Sequence, residues 1–189
     1  MRMSPLVRDV VRWALVALVL SSPAEAQETS WRIMSGEVRV LCPLTVGGSF
    51  EATTTVLKGV VTADASGRLR GALEVDLTTL DTGIELRDTH LRDTYLEVDR
   101  GQNFARAVLS AIALDGADPR TFEGKTAFRA TLRLHGVERS VSGVAELART
   151  PDGIDVVAHF PVALPGPSKA VQGGGETLRF MLIWVVFLH

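Results

Sequence analysis

The residues whose types and spacing could do chemistry lie together in one short segment, Arg87–Asp93. The segment holds two carboxylates, two guanidinium groups and an imidazole, which could transfer protons or hold a polar headgroup. On a helix, Asp88 and Arg92 would share a face and His90 would meet Asp93, and these are also ordinary spacings for intrahelical ion pairs. Three roles stay open: structural capping and ion pairing, which the spacing favours, contact with a ligand headgroup, and catalysis.

The rest of the sequence contains no recognised catalytic or metal-binding motif. None of the four histidines belongs to an HxH, HExxH or Cys/His cluster, so the spacing of metal ligands is missing. A GxSxG elbow, a P-loop and a paired-cysteine motif are also missing. Cys42 is the single cysteine and precedes Pro43; it cannot form an internal disulfide, and we expect it to be a buried residue at the end of a strand. We therefore predict no catalytic residue and no metal site.

The first 26 residues have the three parts of a secretory signal peptide. Arginines precede the apolar run Trp13–Leu20, and Ala24-Glu25-Ala26 has the small-x-small pattern that a signal peptidase recognises. The run is much shorter than the roughly 20 residues that span a bilayer as a helix. We expect cleavage after Ala26, a periplasmic or secreted location, and a domain over 27–189 without a stable membrane span. With a net charge of −2 and no basic run, the chain is not expected to bind nucleic acid.

The elements that would position these groups are strands, because apolar and polar residues alternate with a period of two. Clear examples are 69–78, 128–135, 140–147 and 154–162. Further strands are predicted over Glu37–Cys42, Phe50–Thr62, Ala105–Leu114 and Leu178–Leu188. The joins at 64–67, 134–137 and 151–153 are short, so neighbouring strands should be antiparallel. About eight long strands fit an all-β sandwich or a closed barrel, and their length and simple hairpins favour the barrel.

Two segments depart from this pattern. Ile84–Val98 has apolar residues at helical spacing, which predicts a short helix in the one long crossover. Phe180–Leu188 contains no polar residue. It could be a membrane-inserted tail, but eleven residues from Leu178 are too few to span as a helix. We predict a final strand that is apolar on both faces and is covered by the helix or by a partner subunit.

The predicted barrel has small side chains among its inward candidates: Gly71, Ala130, Gly143, Ala145 and Ala158. An eight-stranded barrel can be filled by its own side chains or can hold one small ligand, and small residues among larger ones suggest an apolar tunnel. Each buried CH₂ contributes roughly 0.8 kcal/mol and association costs roughly 4–15 kcal/mol, so an apolar guest needs on the order of a dozen carbons. The candidate ligand-binding residues are Phe50, Leu73, Val75, Leu77, Leu91, Phe128, Leu132, Leu134, Val156, Phe160, Phe180 and Trp184. The candidate headgroup or mouth contacts are Arg87, Asp88 and His90.

Several of these motifs resemble one known family. Thr82-Gly83 followed by Leu86–Arg92 is similar to the TG…RDxHLR signature of the YceI-like polyisoprenoid-binding family. Trp31, Gly48-Ser49-Phe50 and Gly59 resemble its first strands, and Leu132–Arg139 resembles its LTIRGVTK hairpin. The resemblance runs from about Trp31 to the C-terminus.

The resemblance implies a lipocalin-like eight-stranded barrel, a periplasmic or secreted location and a long isoprenoid chain in the lumen. It implies no catalytic residue and no cofactor, unless a bound isoprenoid lipid or quinone is counted as one, and it is compatible with a homodimer. We therefore expect an exported carrier or store for a polyisoprenoid, an isoprenoid quinone or a similar amphiphile such as a fatty lipid. The alternatives are an enzyme that acts on a lipid-linked substrate through Arg87–Asp93, and a non-catalytic barrel that binds another protein.

Overall fold

A computed structural model describes residues 28–43, 48–164 and 178–188, so the predicted signal peptide lies outside the described residues. Within these ranges the chain forms nine strands and a few short helical turns. The strands are β1 (Thr29–Pro43), β2 (Ser49–Thr54), β3 (Leu57–Ala63), β4 (Leu69–Asp76), β5 (Arg106–Leu114), β6 (Gly124–Leu134), β7 (Val137–Thr150), β8 (Gly153–Leu164) and β9 (Leu178–Leu188).

The strands close into an antiparallel barrel. From β3 to β9 each strand pairs with the next along the chain, and β1 joins the two ends by pairing with β3 on one edge and with β9 on the other. β2 pairs with the same edge of β1 as β3 does, farther along. β2 and β3 are therefore one strand of the barrel, interrupted at Thr55 and Val56. The predicted all-β, eight-stranded barrel is confirmed, and the interruption divides the strand predicted over Phe50–Thr62.

Irregularities in two strands decide which side chains face the interior. β1 has a bulge at Met34, which is 63% exposed. β5 has a register shift at Ala111, whose φ is +49°. Before this shift Ala107 and Leu109 are buried, and after it the even-numbered residues Ile112 and Leu114 pack against the core. The inward set of β5 thus changes from odd to even, because a bulge inserts an extra residue into the alternation.

The crossover between β4 and β5 covers one end of the barrel. It contains α1 (Glu85–Thr89), a wider helical turn over His90–Tyr95, a 3₁₀ turn over Val98–Arg100 and α2 (Gln102–Ala105). The predicted short helix over Ile84–Val98 is confirmed in position, although it changes pitch and the chain makes two further turns after it. Within the described residues, no helix combines the length and the apolar character that crossing a membrane requires.

The core is apolar and reaches from the strands to the crossover. Leu80, Leu91 and Leu96 of the crossover are buried in the same cluster as the inward side chains of the strands. Cys42 is also buried, as predicted, and burial raises the pKa of its thiol to about 12. A thiol with this pKa stays protonated at neutral pH and is a poor nucleophile.

Candidate functional site

The barrel interior contains an unfilled space, the lumen cavity, at the end opposite the crossover. The cavity has a volume of about 80 Å³, which is several times what one enclosed water requires. The described residues that line the cavity are all apolar: Trp31, Val61, Leu69, Leu73, Leu109, Ile112, Leu114, Pro119, Phe128, Ala145, Leu147, Ile154, Val156 and Ala158. A cavity with such walls gives water no hydrogen-bond partner and favours an apolar guest.

The cavity has its origin in two small residues that face each other across a strand pair. Ala145 of β7 and Ala158 of β8 are register partners, and both line the cavity. Their neighbours on the inward side of β7 and β8, such as Leu147 and Val156, are larger. Two adjacent methyl groups where most of the wall has branched side chains leave a recess in the interior.

The outer end of the cavity is covered by the loop between β5 and β6, residues 115–123. Pro119 of this loop lines the cavity, and its carbonyl oxygen accepts a hydrogen bond of 2.6 Å from Arg149 Nη2 of β7. Arg120 Nη2 donates to the carbonyl oxygen of Ala65, in the turn between β3 and β4, at 3.2 Å. The hydrogen bonds from Arg120 also lower the pKa of Asp118 to about 2. The loop is thus attached to both neighbouring parts of the rim.

The structure places the predicted ligand-binding residues in four different environments. Leu73, Phe128 and Val156 line the lumen cavity. The packed core, away from the cavity, contains Val75, Leu77, Leu91, Leu132, Leu134 and Phe160. Phe50 is half-buried in an outer groove, which Leu91 also borders. Phe180 and Trp184 belong to β9, but their side chains lie outside the described residues.

The outer groove lies between β2 and the crossover and contains two of the predicted headgroup contacts. It is an open depression with a volume of about 470 Å³. Arg87 lies over the ring of Phe50 at 4.9 Å, and His90 meets Tyr95 edge to face at 5.2 Å. Arg87 and His90 are therefore close to a surface that a ligand could contact, on the far side of the packed core from the lumen cavity.

Asp88, the third of these residues, has a structural position. Its side chain is buried, and Oδ1 accepts hydrogen bonds from the backbone N–H and the hydroxyl of Thr82, each at 2.7 Å. These bonds, with a smaller contribution from Arg92, lower the pKa of Asp88 below its ordinary value. Arg92 itself donates to the carbonyl oxygens of Asp88 and Thr78. In this geometry Asp88 and Arg92 hold the start of the crossover together, and neither lines the outer groove.

A second buried polar contact, which sequence reasoning missed, attaches the crossover to the β6–β7 hairpin. Glu97 is 5% exposed, and its Oε2 lies 2.9 Å from Arg100 Nη1 and 2.9 Å from His135 Nε2. The contact with His135 has the distance of an ion pair but not the alignment of a hydrogen bond. The ring of Phe104 packs edge to face on His135 at 4.7 Å. In the described part of the chain, no three His, Cys, Asp or Glu residues form a group that could hold a metal ion.

Most residues of the cavity wall were not among the predicted ligand-binding residues. Ala145 and Ala158 were among the small inward candidates, and alternation could also have identified Leu69 and Leu147, because they occupy the same parity as the predicted inward positions. Pro119 carried no such signal, since it belongs to a loop.

The sequence model of the YceI-like domain family matches residues 26–165 of this chain. A polyisoprenoid-binding domain from Saccharophagus degradans, described as implicated in plant cell wall breakdown, is similar in structure, with a TM-score of 0.60, 17% identity, and coverage of 84% of this chain and 97% of that one. BcnA of Burkholderia cenocepacia has a TM-score of 0.59 and 13% identity, with 81% of this chain and 96% of that one covered. These identities show a shared fold. No curated protein matches the chain in sequence.

Proposed function

The chain belongs to the YceI-like domain family, and we propose that it is an exported protein whose barrel binds the apolar chain of an isoprenoid or fatty lipid, as a carrier or store. The ligand is a polyisoprenoid, an isoprenoid quinone or a similar amphiphile. The proposal assigns no catalytic residue, and a homodimer is compatible with it.

The observation that carries the proposal is the lumen cavity. Its described wall is apolar throughout, so any molecule held there is held by burial of apolar surface, which contributes roughly 0.8 kcal/mol for each CH₂. The loop over residues 115–123 covers the outer end of the cavity with Pro119, and hydrogen bonds to Ala65 and from Arg149 attach it to the rim. An apolar space at one end of a barrel suits the binding of a lipid chain. The similarity in fold to a polyisoprenoid-binding domain supports the same class of ligand.

Export is proposed from the sequence of residues 1–26. The test is to express the full chain in a Gram-negative bacterium, separate the periplasmic fraction and determine the N-terminus of the protein found there. We expect the mature protein to begin at Gln27. Retention of residues 1–26 on a membrane-bound protein would contradict the proposal of a cleaved signal.

Lipid binding is tested by organic extraction of protein purified from its native host, followed by mass spectrometry. We expect an isoprenoid or fatty lipid in the extract. Ala145→Leu should reduce its amount strongly, because Ala145 is 3% exposed and lines the cavity, so a larger side chain would occupy the space. Val144→Leu is the matched control, since Val144 is the preceding residue on the outer face and is 47% exposed. A protein that carries no lipid, and takes up none when offered, would refute the proposal.

A further inference from the structure

We infer that the outer groove is a docking site for an extended peptide segment of another protein, which adds to the free edge of β2 and places an acidic side chain beside Arg87 and His90. The groove is separate from the lumen cavity. The inference therefore goes beyond the proposed lipid binding and does not depend on it.

The first observation is an edge of β2 at which strand pairing stops early. Thr53 and Asp81 exchange backbone hydrogen bonds of 2.8 and 2.9 Å in an antiparallel bridge. Alternate residues of a strand direct their N–H and C=O groups to the same edge, so Glu51 directs its groups there too. The residue that would pair with Glu51 is Gly83, but the chain turns away at Gly83, where φ is +76° and the N–H donates to Asp81 Oδ1. Within the described residues no backbone hydrogen bond continues the ladder past Thr53, and such an edge is a template for a further strand.

The groove beside this edge has room for the side chains of an added strand. Its volume is about 470 Å³, and Phe50, the neighbour of Glu51 on β2, forms part of its wall. Ile84 and Leu86 also line the groove and are 49% and 82% exposed. Because side chains alternate between the two faces of a strand, every second side chain of the peptide would lie on the face of Phe50. These side chains would enter the groove and cover its apolar surface.

The charges around the groove determine which peptide fits. The polar side chains of its described wall are those of Arg87, His90 and Tyr95, and none of them is a carboxylate. Arg87 lies over the ring of Phe50, and within the described chain it forms no ion pair, so its guanidinium group can bind a carboxylate through parallel hydrogen bonds. On the opposite face Glu51 is exposed and disfavours an acidic residue directly across from it. The peptide therefore has an apolar and an acidic residue two positions apart, with a basic or neutral residue between them.

The test is the binding of the peptide TLKET-amide, labelled with fluorescein, to the purified protein, measured by fluorescence anisotropy. Its leucine and glutamate share one face, and its lysine lies across from Glu51. We expect saturable binding with a dissociation constant below about 1 mM. N-methylation of the lysine should weaken binding at least about tenfold, because it removes the donor to the Glu51 carbonyl oxygen and places a methyl group between the strands. N-methylation of the leucine is the matched control, since that N–H points away from β2, and it should change the affinity less than about threefold.

The charge contact is tested by changing both of its partners. On the unmodified protein, replacing the glutamate of the peptide by glutamine should weaken binding about threefold to fivefold. On Arg87→Gln the two peptides should bind equally, because the cation that distinguishes them is gone. Arg129→Gln is the matched control, since Arg129 is an exposed arginine on β6 that does not line the groove, and it should keep the preference for glutamate. Circular dichroism identifies variants that fold.

Several results would overturn the inference. The peptide could fail to bind, the two N-methylated peptides could lose affinity equally, or folded Arg87→Gln could keep the preference for glutamate. Binding of phosphatidylglycerol vesicles that Leu86→Ser abolishes, without binding of the peptide, would show that the groove contacts a lipid surface instead. A dimer in light scattering that the peptide dissociates would show that a second copy of the chain occupies the edge. The N-methylated peptides need no variant of the protein, so they decide even if Arg87→Gln does not fold, and lipid extraction tests the proposed function separately.

Discussion

Replacing Asp88 by alanine tests whether the Arg87–Asp93 segment is structural or chemical. The substitution removes two hydrogen bonds of 2.7 Å from Thr82 to a buried carboxylate. Hydrogen bonds to a charged group contribute roughly 1.5–3 kcal/mol each, and Thr82 is half-buried and regains part of this from water. We therefore expect the free energy of unfolding, measured by urea denaturation, to fall by about 2–4 kcal/mol. Lipid binding to the folded variant should be unchanged, because Asp88 contacts neither the lumen cavity nor the outer groove.

The pH dependence of the same variant gives a second measurement. The pKa of Asp88 is lower in the folded protein than its ordinary value, chiefly because Thr82 donates to it. The stabilisation is therefore complete above the pKa of the unfolded state, roughly 3.9, and is lost as the pH falls through the lower folded pKa. The difference in stability between wild type and Asp88→Ala should shrink over this acidic range.

Asp93→Ala is the control, since Asp93 is an exposed carboxylate on the same segment, and it should change the free energy of unfolding by less than about 0.5 kcal/mol. The structural role would be refuted if Asp88→Ala were as stable as wild type but had lost binding. That result would favour contact with a headgroup, or catalysis on a lipid-linked substrate.

Two further predictions concern the barrel. Gly143→Ala should destabilise the protein by about 3 kcal/mol or more, because the added Cβ would overlap the carbonyl oxygen of His159; thermal unfolding measures this, and a stable variant would show that β7 and β8 can separate there. Arg149→Ala removes the donor to the Pro119 carbonyl oxygen, so it should speed both uptake and release of lipid in stopped-flow experiments, with a loss of stability below about 1 kcal/mol. Arg129→Ala, an exposed arginine on β6, is its control, and equal rates for the two variants would contradict a role of the loop in exchange.

The sequence was sufficient to predict the strands and the barrel because the alternation of side chains is local. Phe128, Leu132 and Leu134 face inward in the structure as their spacing indicated. The change of parity at Ala111 was not predictable, since it depends on how β5 pairs with β6. The interruption of the strand over Phe50–Thr62 is also visible only in the pairing, because β1 pairs with both parts and not with Thr55 or Val56.

The candidate site could be predicted only in part. The apolar character of the cavity follows from the alternation of apolar residues, and three of the predicted ligand-binding residues line it. The location of the cavity could not be predicted, because the empty space depends on how the side chains of neighbouring strands pack together. The contact between Phe128 and Phe160 depends on Gly143 lying between them, and the cover over the cavity depends on where Arg149 finds an acceptor. These are relations across strands, which the order of residues along one strand does not reveal.

The pairing of β1 with β9 has a consequence for how the protein reaches its folded state. These strands lie near opposite ends of the described chain, yet their contact closes the barrel. Closing so long a loop costs entropy before any contact compensates for it, so this pairing should form last. Until then β9, with no polar residue from Phe180 to Leu188, is an open edge that can pair with another copy of the chain. Substitutions that weaken the β1–β9 register should therefore lower the yield of soluble protein more than they lower the melting temperature of the molecules that succeed in folding.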